Sequence, residues 1–216
     1  MLRSKRARKA RFQAADRRFA LYVEGPRDRD ILRIFAGKKS PLLARAMDSS
    51  VKILGGRQPA RAVELFRRLG VEQGAAGENA PTRGLCVLDR DESHELSDRK
   101  LCEPGLDFFI WGRRHIESYL LVPSAIRRCL GLSGDDPRFA RLLGRHLPDP
   151  EDEGACRSID AKRLLAPSGP IARAFGWDPR PRDVARHMSA TDLHPDVTQL
   201  LARISEGLGL PSLRRP

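Results

Sequence analysis

No stretch of about 18 apolar residues occurs in the 216-residue chain, and no apolar segment follows the positively charged N-terminus. Neither a membrane-spanning helix nor a secretory leader is therefore expected. Cysteine is scarce. Cys86, Cys102, Cys129 and Cys156 form no CxxC pair, and no histidines stand at zinc-finger spacing beside them. That excludes a structural zinc ribbon and a disulfide framework, and it predicts reduced thiols in a soluble, cytoplasmic protein. Internal repeats, heptad arrays and low-complexity tracts are also missing, apart from a basic N-terminal arm. The five histidines are dispersed and organise no site; His94 stands three residues past Asp91, one of the acids singled out below.

Positive charge, by contrast, is abundant. The formal net charge is +12, and residues 1–18 carry eight Lys/Arg against Asp16 alone, which supplies +7 and leaves +5 for the remainder. Such an arm on a basic body predicts a polyanionic partner, most simply nucleic acid held through its phosphates. The bland alternative is a composition effect, because arginine outnumbers lysine 33 to 7. A membrane-surface role is disfavoured, since the arm has few apolar residues to bury. The length fits one main domain.

The patterning predicts an α/β fold. Phe19–Val23, Val51–Leu54, Leu85–Leu88 and Asp107–Trp111 read as short buried strands. Helical spacing follows over Asp28–Ala36 and Gln58–Leu69, with Gly25-Pro26 as the turn after the first strand. Residues 70–83, rich in Gly, Ala and Pro, read as a flexible surface connection. A helical pattern begins at about His115, and Pro123 interrupts it or starts the next helix. Beyond Gly131 the texture changes to loops and short helices at Ile159–Leu165, Ile171–Phe175 and Val197–Ile204. This divides the chain into the arm (1–18), an α/β core (19–130) and a helical appendage packed on that core (131–216).

Acids stop two of the strands abruptly: Glu24 in FALYVEGPRD, and Asp89 and Asp91 in GLCVLDRDE. Chemistry in open α/β sheets sits at such carboxyl ends. If the backbone stays extended across Arg90, Asp89 and Asp91 point the same way. Hard oxygen ligands of this kind suit Mg²⁺ or Mn²⁺, and Glu24 could complete the site or bridge to a second ion. Asp28 reads equally well as a ligand or as the N-cap of the following helix, the latter worth about 1 kcal/mol. Glu117, within the apolar IESYLL, needs a partner. Either Arg113 or Arg114 pairs with it, or it turns into the crevice as a ligand, and spacing leaves both open.

Taken in order, LYVEGPRDRDILRIF, GLCVLDRDE, WGRRHIESYLL and IDAKRLL resemble a TOPRIM domain. More narrowly they resemble the nuclease domain of the overcoming-lysogenization-defect (OLD) family and its stand-alone relatives in bacterial anti-phage systems. The likeness runs from about Phe19 to Leu165. It implies a Rossmann-like parallel four-stranded sheet and a metal-dependent endonuclease. Glu24 matches the TOPRIM glutamate, Asp28 the acid that often follows it, and Asp89 and Asp91 the Asp-x-Asp metal pair. Glu117 matches an extra glutamate that helps hold a second metal, and Lys162 falls where these enzymes tend to carry a lysine near the scissile phosphate. Ser118 stands where the family usually has asparagine. OLD proteins also carry an ATPase domain, and no G-x-x-x-x-G-K-[ST] occurs here, so an ATPase is either a separate partner or dispensed with.

The expected activity is two-metal phosphodiester hydrolysis, with Glu24, Asp89, Asp91 and Glu117 as ligands and Asp28 assisting. Lys162 is expected to stabilise developing charge, while Arg113, Arg114 and the arm hold phosphates. Topoisomerase or primase chemistry shares the fold. Strand passage needs a presented tyrosine, however, and Tyr22 and Tyr119 both fall in apolar segments. A non-catalytic module that binds nucleic acid or a partner ATPase is the non-enzyme alternative. The sequence leaves open DNA against RNA and the oligomeric state, with which a homodimer is compatible.

Overall fold

A computed structural model describes residues 19–75, 83–90, 102–134, 136–176 and 180–213. The basic arm, Asp91 and His94 thus lie outside the described residues. Four strands, β1 (Phe19–Val23), β2 (Val51–Ile53), β3 (Arg83–Leu88) and β4 (Leu106–Ile110), form one all-parallel sheet in the order β2-β1-β3-β4. The register sets Leu21 beside Val51 and Leu85, and Cys86 beside Phe108. Helices α1 (Pro26–Lys39) and α2 (Pro41–Ser50) join β1 to β2, and α3 (Pro59–Ala75) follows β2. The chain is a Rossmann-like α/β protein.

The strands read as unbroken apolar runs because both faces are covered. Phe19, Leu21 and Val23 of β1 and Leu85 and Val87 of β3 face one core with Ile31, Leu32 and Phe35 of α1 and Leu43 and Met47 of α2. Ala20, Tyr22, Cys86 and Leu88 face the other, against Ala62, Val63 and Phe66 of α3. The alternation is the strand's period of two, applied twice. Each fully buried side chain of this kind contributes about 1.5–3 kcal/mol.

Several boundaries differ from the sequence reading, each for a local reason. Pro26 is the first residue of α1 and not a turn residue, since a missing N–H costs nothing there. Helix α2 was not anticipated. Ser40 caps it by accepting the Leu43 N–H at 3.3 Å, and Pro41 opens it. Helix α3 runs on to Ala75, so the first residues of the expected flexible connection are helical. The segment with Glu117 is a 3₁₀ turn, Ile116–Leu120, and Pro123 starts α4 (Pro123–Leu130).

The remainder is helical: α5 (Pro137–His146), α6 (Glu153–Ser158), α7 (Ala161–Leu164), α8 (Pro170–Phe175), α9 (Pro181–His187) and α10 (Pro195–Gly207). Of these, α5, α6 and α9 were missed, being short and interrupted by proline and charge. Ile171, Val184, Val197, Leu200, Leu201 and Ile204 join the same core as Leu21 and Ile31. No helix among the described residues is long and apolar enough to cross a membrane.

One contact ties this helical region to the turn carrying Glu117. The Tyr119 hydroxyl donates to Asp196 Oδ2 at 2.6 Å and accepts the Arg113 N–H at 3.0 Å, while its ring lies 4.9 Å from that of Trp111. Tyr119→Phe keeps the ring packing and leaves both polar partners unmatched. It is expected to cost about 1–2 kcal/mol, read as a lowered urea midpoint with an unchanged slope.

Candidate functional site

Strand β1 has β2 on one side and β3 on the other, so the connections leaving it diverge and open a crevice beyond the strand ends. Glu24 and Asp89 stand at that point. The Glu24 side chain accepts the Asp89 N–H through Oε1 at 2.7 Å, fastening the end of β1 to the end of β3. The Glu24 carbonyl in turn accepts the N–H groups of Gly55 and Gly56 at 3.0 and 2.9 Å. Both glycines have positive φ, 83° and 124°, which lets two successive N–H groups converge on one oxygen. The same turn delivers Arg57, whose Nε donates to the Asp89 carbonyl at 3.2 Å.

Lys162, from α7 in the helical region, reaches Asp89 Oδ2 with its Nζ at 2.7 Å. Burial works against the ammonium charge, but the hydrogen bond to Asp89 and the charges of Asp89, Glu117 and Asp28 outweigh it, and the Lys162 pKa is raised. Asp28 is not the N-cap of α1, which is Gly25, because the helix already begins at Pro26; from the third helical position its Oδ2 instead accepts the Gly25 N–H at 2.8 Å. Its carboxyl is nonetheless pushed up to about 7, first by burial and then by the charges of Asp89 and Glu117, with Glu24 adding to them. Glu24 is also raised, burial outweighing the hydrogen bond from Asp89. Four carboxylates thus share one low-dielectric neighbourhood.

Glu117 is 1% exposed. Its Oε1 is 3.3 Å from Arg27 Nη1, and its Oε2 has no hydrogen-bond partner among the described residues. The pairing with Arg113 or Arg114 considered from the sequence is not formed. Arg113 turns away to Glu153 at 2.8 Å and lies over the Tyr119 ring. It does not line the crevice, and the structure does not bring it together with Glu24 and Asp89. Arg114 does line the crevice.

The crevice is an open cleft of about 810 Å³ whose walls bring together Glu24, Asp89, Lys162, Arg57, Arg90, Arg114 and Arg157, with His115 and Asp160. Asp28 and Glu117 are not among its lining residues; their charges reach it from behind. Arg57, Arg157, Asp160 and His115 were not singled out in the sequence. Arg57 could have been, because it follows the Gly55-Gly56 turn just beyond the carboxyl end of the strand beside β1. Among the described residues His115 is the histidine found here, 5% exposed, with Nδ1 3.1 Å from Ser118 Oγ. Burial holds its pKa down, with the carboxylates of Glu117, Asp89 and Asp160 opposing.

Among the described residues no three His, Cys, Asp or Glu side chains form a ready-made metal-binding group. The donor chemistry would still suit a hard cation: the candidate donors are carboxylate oxygens, Glu117 Oε2 is a buried acceptor with no donor among the described residues, and burial with the charges of Asp89, Glu117 and Glu24 raises the Asp28 carboxyl. Arginines along the cleft walls suit an anion bearing several oxygens. Comparison of the chain with protein-family models, with curated proteins and with solved structures returned no match.

Proposed function

We propose that the chain is a divalent-metal-dependent nuclease that hydrolyses phosphodiester bonds of nucleic acid in this cleft. The observation that carries the reading is the placing of Glu24 and Asp89 at one strand-end crevice with the charges of Asp28 and Glu117 close by, a buried oxygen of Glu117 having no donor among the described residues. Burial first, and then the charges of Asp89, Glu117 and Glu24, raise the Asp28 carboxyl, a repulsion that a cation would compensate. The cationic wall of Arg57, Arg114, Arg157 and Lys162 supplies the complementary feature, a seat for phosphate. The order of motifs shared with TOPRIM nucleases of the OLD type supports the same reading, and with it a role in phage defence, alone or with a separate ATPase.

Mg²⁺ or Mn²⁺ held by Glu24, Asp89 and Glu117, with Asp28 assisting and Asp91 as a further ligand, would polarise the phosphoryl group and lower the pKa of an attacking water. The chain's own groups do the rest. Arg57, Arg114 and Arg157 hold non-bridging oxygens and orient the scissile bond. Lys162 offsets the charge that develops on the phosphorus oxygens. Glu24 fixes Asp89 by holding its N–H, so the carboxylate geometry does not depend on the substrate.

Metal-supported nicking of plasmid, or cleavage of RNA, that stops with chelator tests the proposal; no cleavage with either metal on either polymer would remove it. Lys162→Met sharpens the test because Lys162 and a cation compete for Asp89. The variant is expected to reach half-saturation at lower metal concentration while kcat falls by about 10²-fold. A residue serving only as the counter-ion of Asp89 would show the first change without the second. The non-catalytic alternative, a module that binds nucleic acid or an ATPase, is favoured by one observation, the Lys162–Asp89 pair that already neutralises a ligand. In that case kcat is not measurable in either protein.

A further inference from the structure

A second concentration of positive charge lies away from the cleft, on the helical region. A groove of about 530 Å³ between α5 and α8 is lined by Arg138, Arg141, Arg145, His146 and Arg173, and no carboxylate of the described residues lines it. None of these residues lines the candidate catalytic cleft. The two helices are joined beneath by Phe139 and Phe175, whose rings are 6.3 Å apart, so the basic side chains flank a packed seam. Arg138 is partly committed, pairing with Asp136 at 2.8 Å and lying over Phe175. Arg173 donates to the Ser168 carbonyl. Arg141 and Arg145 are exposed and have no acidic partner among the described residues.

Arg138, Arg141 and Arg145 stand at i, i+3 and i+7, which places them along one face of α5. From first to last they span ~10.5 Å of helix axis. That matches about three phosphate-to-phosphate steps of one duplex strand at ~3.4 Å of axis each. A row of arginines along an open groove, without a buried donor converging on one point, grips an extended chain of phosphates and not a single anion. The aromatic floor adds nothing that reads a base.

Resting on the nuclease reading, we infer that the α5–α8 groove is a second nucleic-acid contact, holding the phosphate backbone beyond the cleft without regard to sequence.

The test measures binding of the full chain to short labelled DNA and RNA in chelator over a salt series, so that no cleavage enters. Arg141→Gln with Arg145→Gln is expected to weaken binding about tenfold at low salt and to reduce the salt slope by about 1.4–1.8, whatever the sequence. Arg141→Lys with Arg145→Lys keeps the charge and should retain slope and affinity. Unchanged binding in the glutamine variant overturns the inference, as does equal loss in the lysine variant, which would make the effect structural. Polyglutamate bound as tightly as nucleic acid, and lost in the same variant, overturns it in favour of an acidic protein partner. Failure of the catalytic reading would leave these binding results untouched, because they require neither metal nor turnover.

Discussion

Glu24→Gln is expected to lower metal-dependent phosphodiester hydrolysis by about 10³-fold, with thermal unfolding shifted by no more than a few degrees. The substitution separates two duties of one side chain. Gln keeps an oxygen that can accept the Asp89 N–H, so the 2.7 Å tie between β1 and β3 persists. What disappears is the negative charge that would face the cation. A loss of about 4 kcal/mol of transition-state stabilisation corresponds to the stated factor, within the several kcal/mol ascribed to a correctly held metal. Glu24→Ala, in contrast, also strands the Asp89 N–H and should lose about 1–3 kcal/mol of stability as well. Asp89→Asn is expected to match Glu24→Gln in activity. A Glu24→Gln protein that turns over at the wild-type rate under saturating metal would strike Glu24 from the ligand set.

Asp28→Asn is expected to stabilise the metal-free protein by about 2 kcal/mol at about pH 8 and to change little at about pH 4. The direction follows from the raised carboxyl, about 7 in the folded protein against an ordinary 3.8. An acid whose folded pKa lies above its unfolded value holds a proton that the unfolded chain releases. Stability therefore falls as pH rises from about 4 and is fully reduced above about 7. The full difference corresponds to ~4 kcal/mol at ~1.4 kcal/mol per pKa unit, and partial solvent screening brings it to ~2. Asn removes the titrating charge and keeps an oxygen for the Gly25 N–H. Mg²⁺ compensates the same repulsion, so it should raise the unfolding midpoint of the wild type more than that of the variant. Urea titrations across this pH range, with and without Mg²⁺, check both statements; an Asp28→Asn protein less stable than wild type at about pH 8 would refute the first.

The legible part of this molecule was its strand set and the acids that end the strands. FALYV and GLCVL carry β-branched and aromatic residues without polar interruption, and strands buried on both faces admit little else. Helix α2 was less visible, although Ser40-Pro41 is a cap followed by a first-turn proline, because its apolar stripe is short. Arg113 and Arg114 illustrate the limit. Adjacent arginines look alike in sequence, but one is bound by Glu153 and the other faces the cleft, and the choice depends on α6, which begins some forty residues further on.

By itself the sequence determined a parallel α/β sheet, with Glu24 and Asp89 at strand ends, because hydrophobic periodicity and the acids that break it are properties of neighbouring residues. The tertiary structure alone decided that β1 lies between β2 and β3, that Glu24 grips the Asp89 backbone 65 positions away, that Lys162 pairs with Asp89 across 73, and that Arg27 meets Glu117 across 90. Such pairings are fixed by how the helices pack on the sheet, where many weak apolar contacts choose one arrangement and the charged groups take the partners which that arrangement leaves within reach.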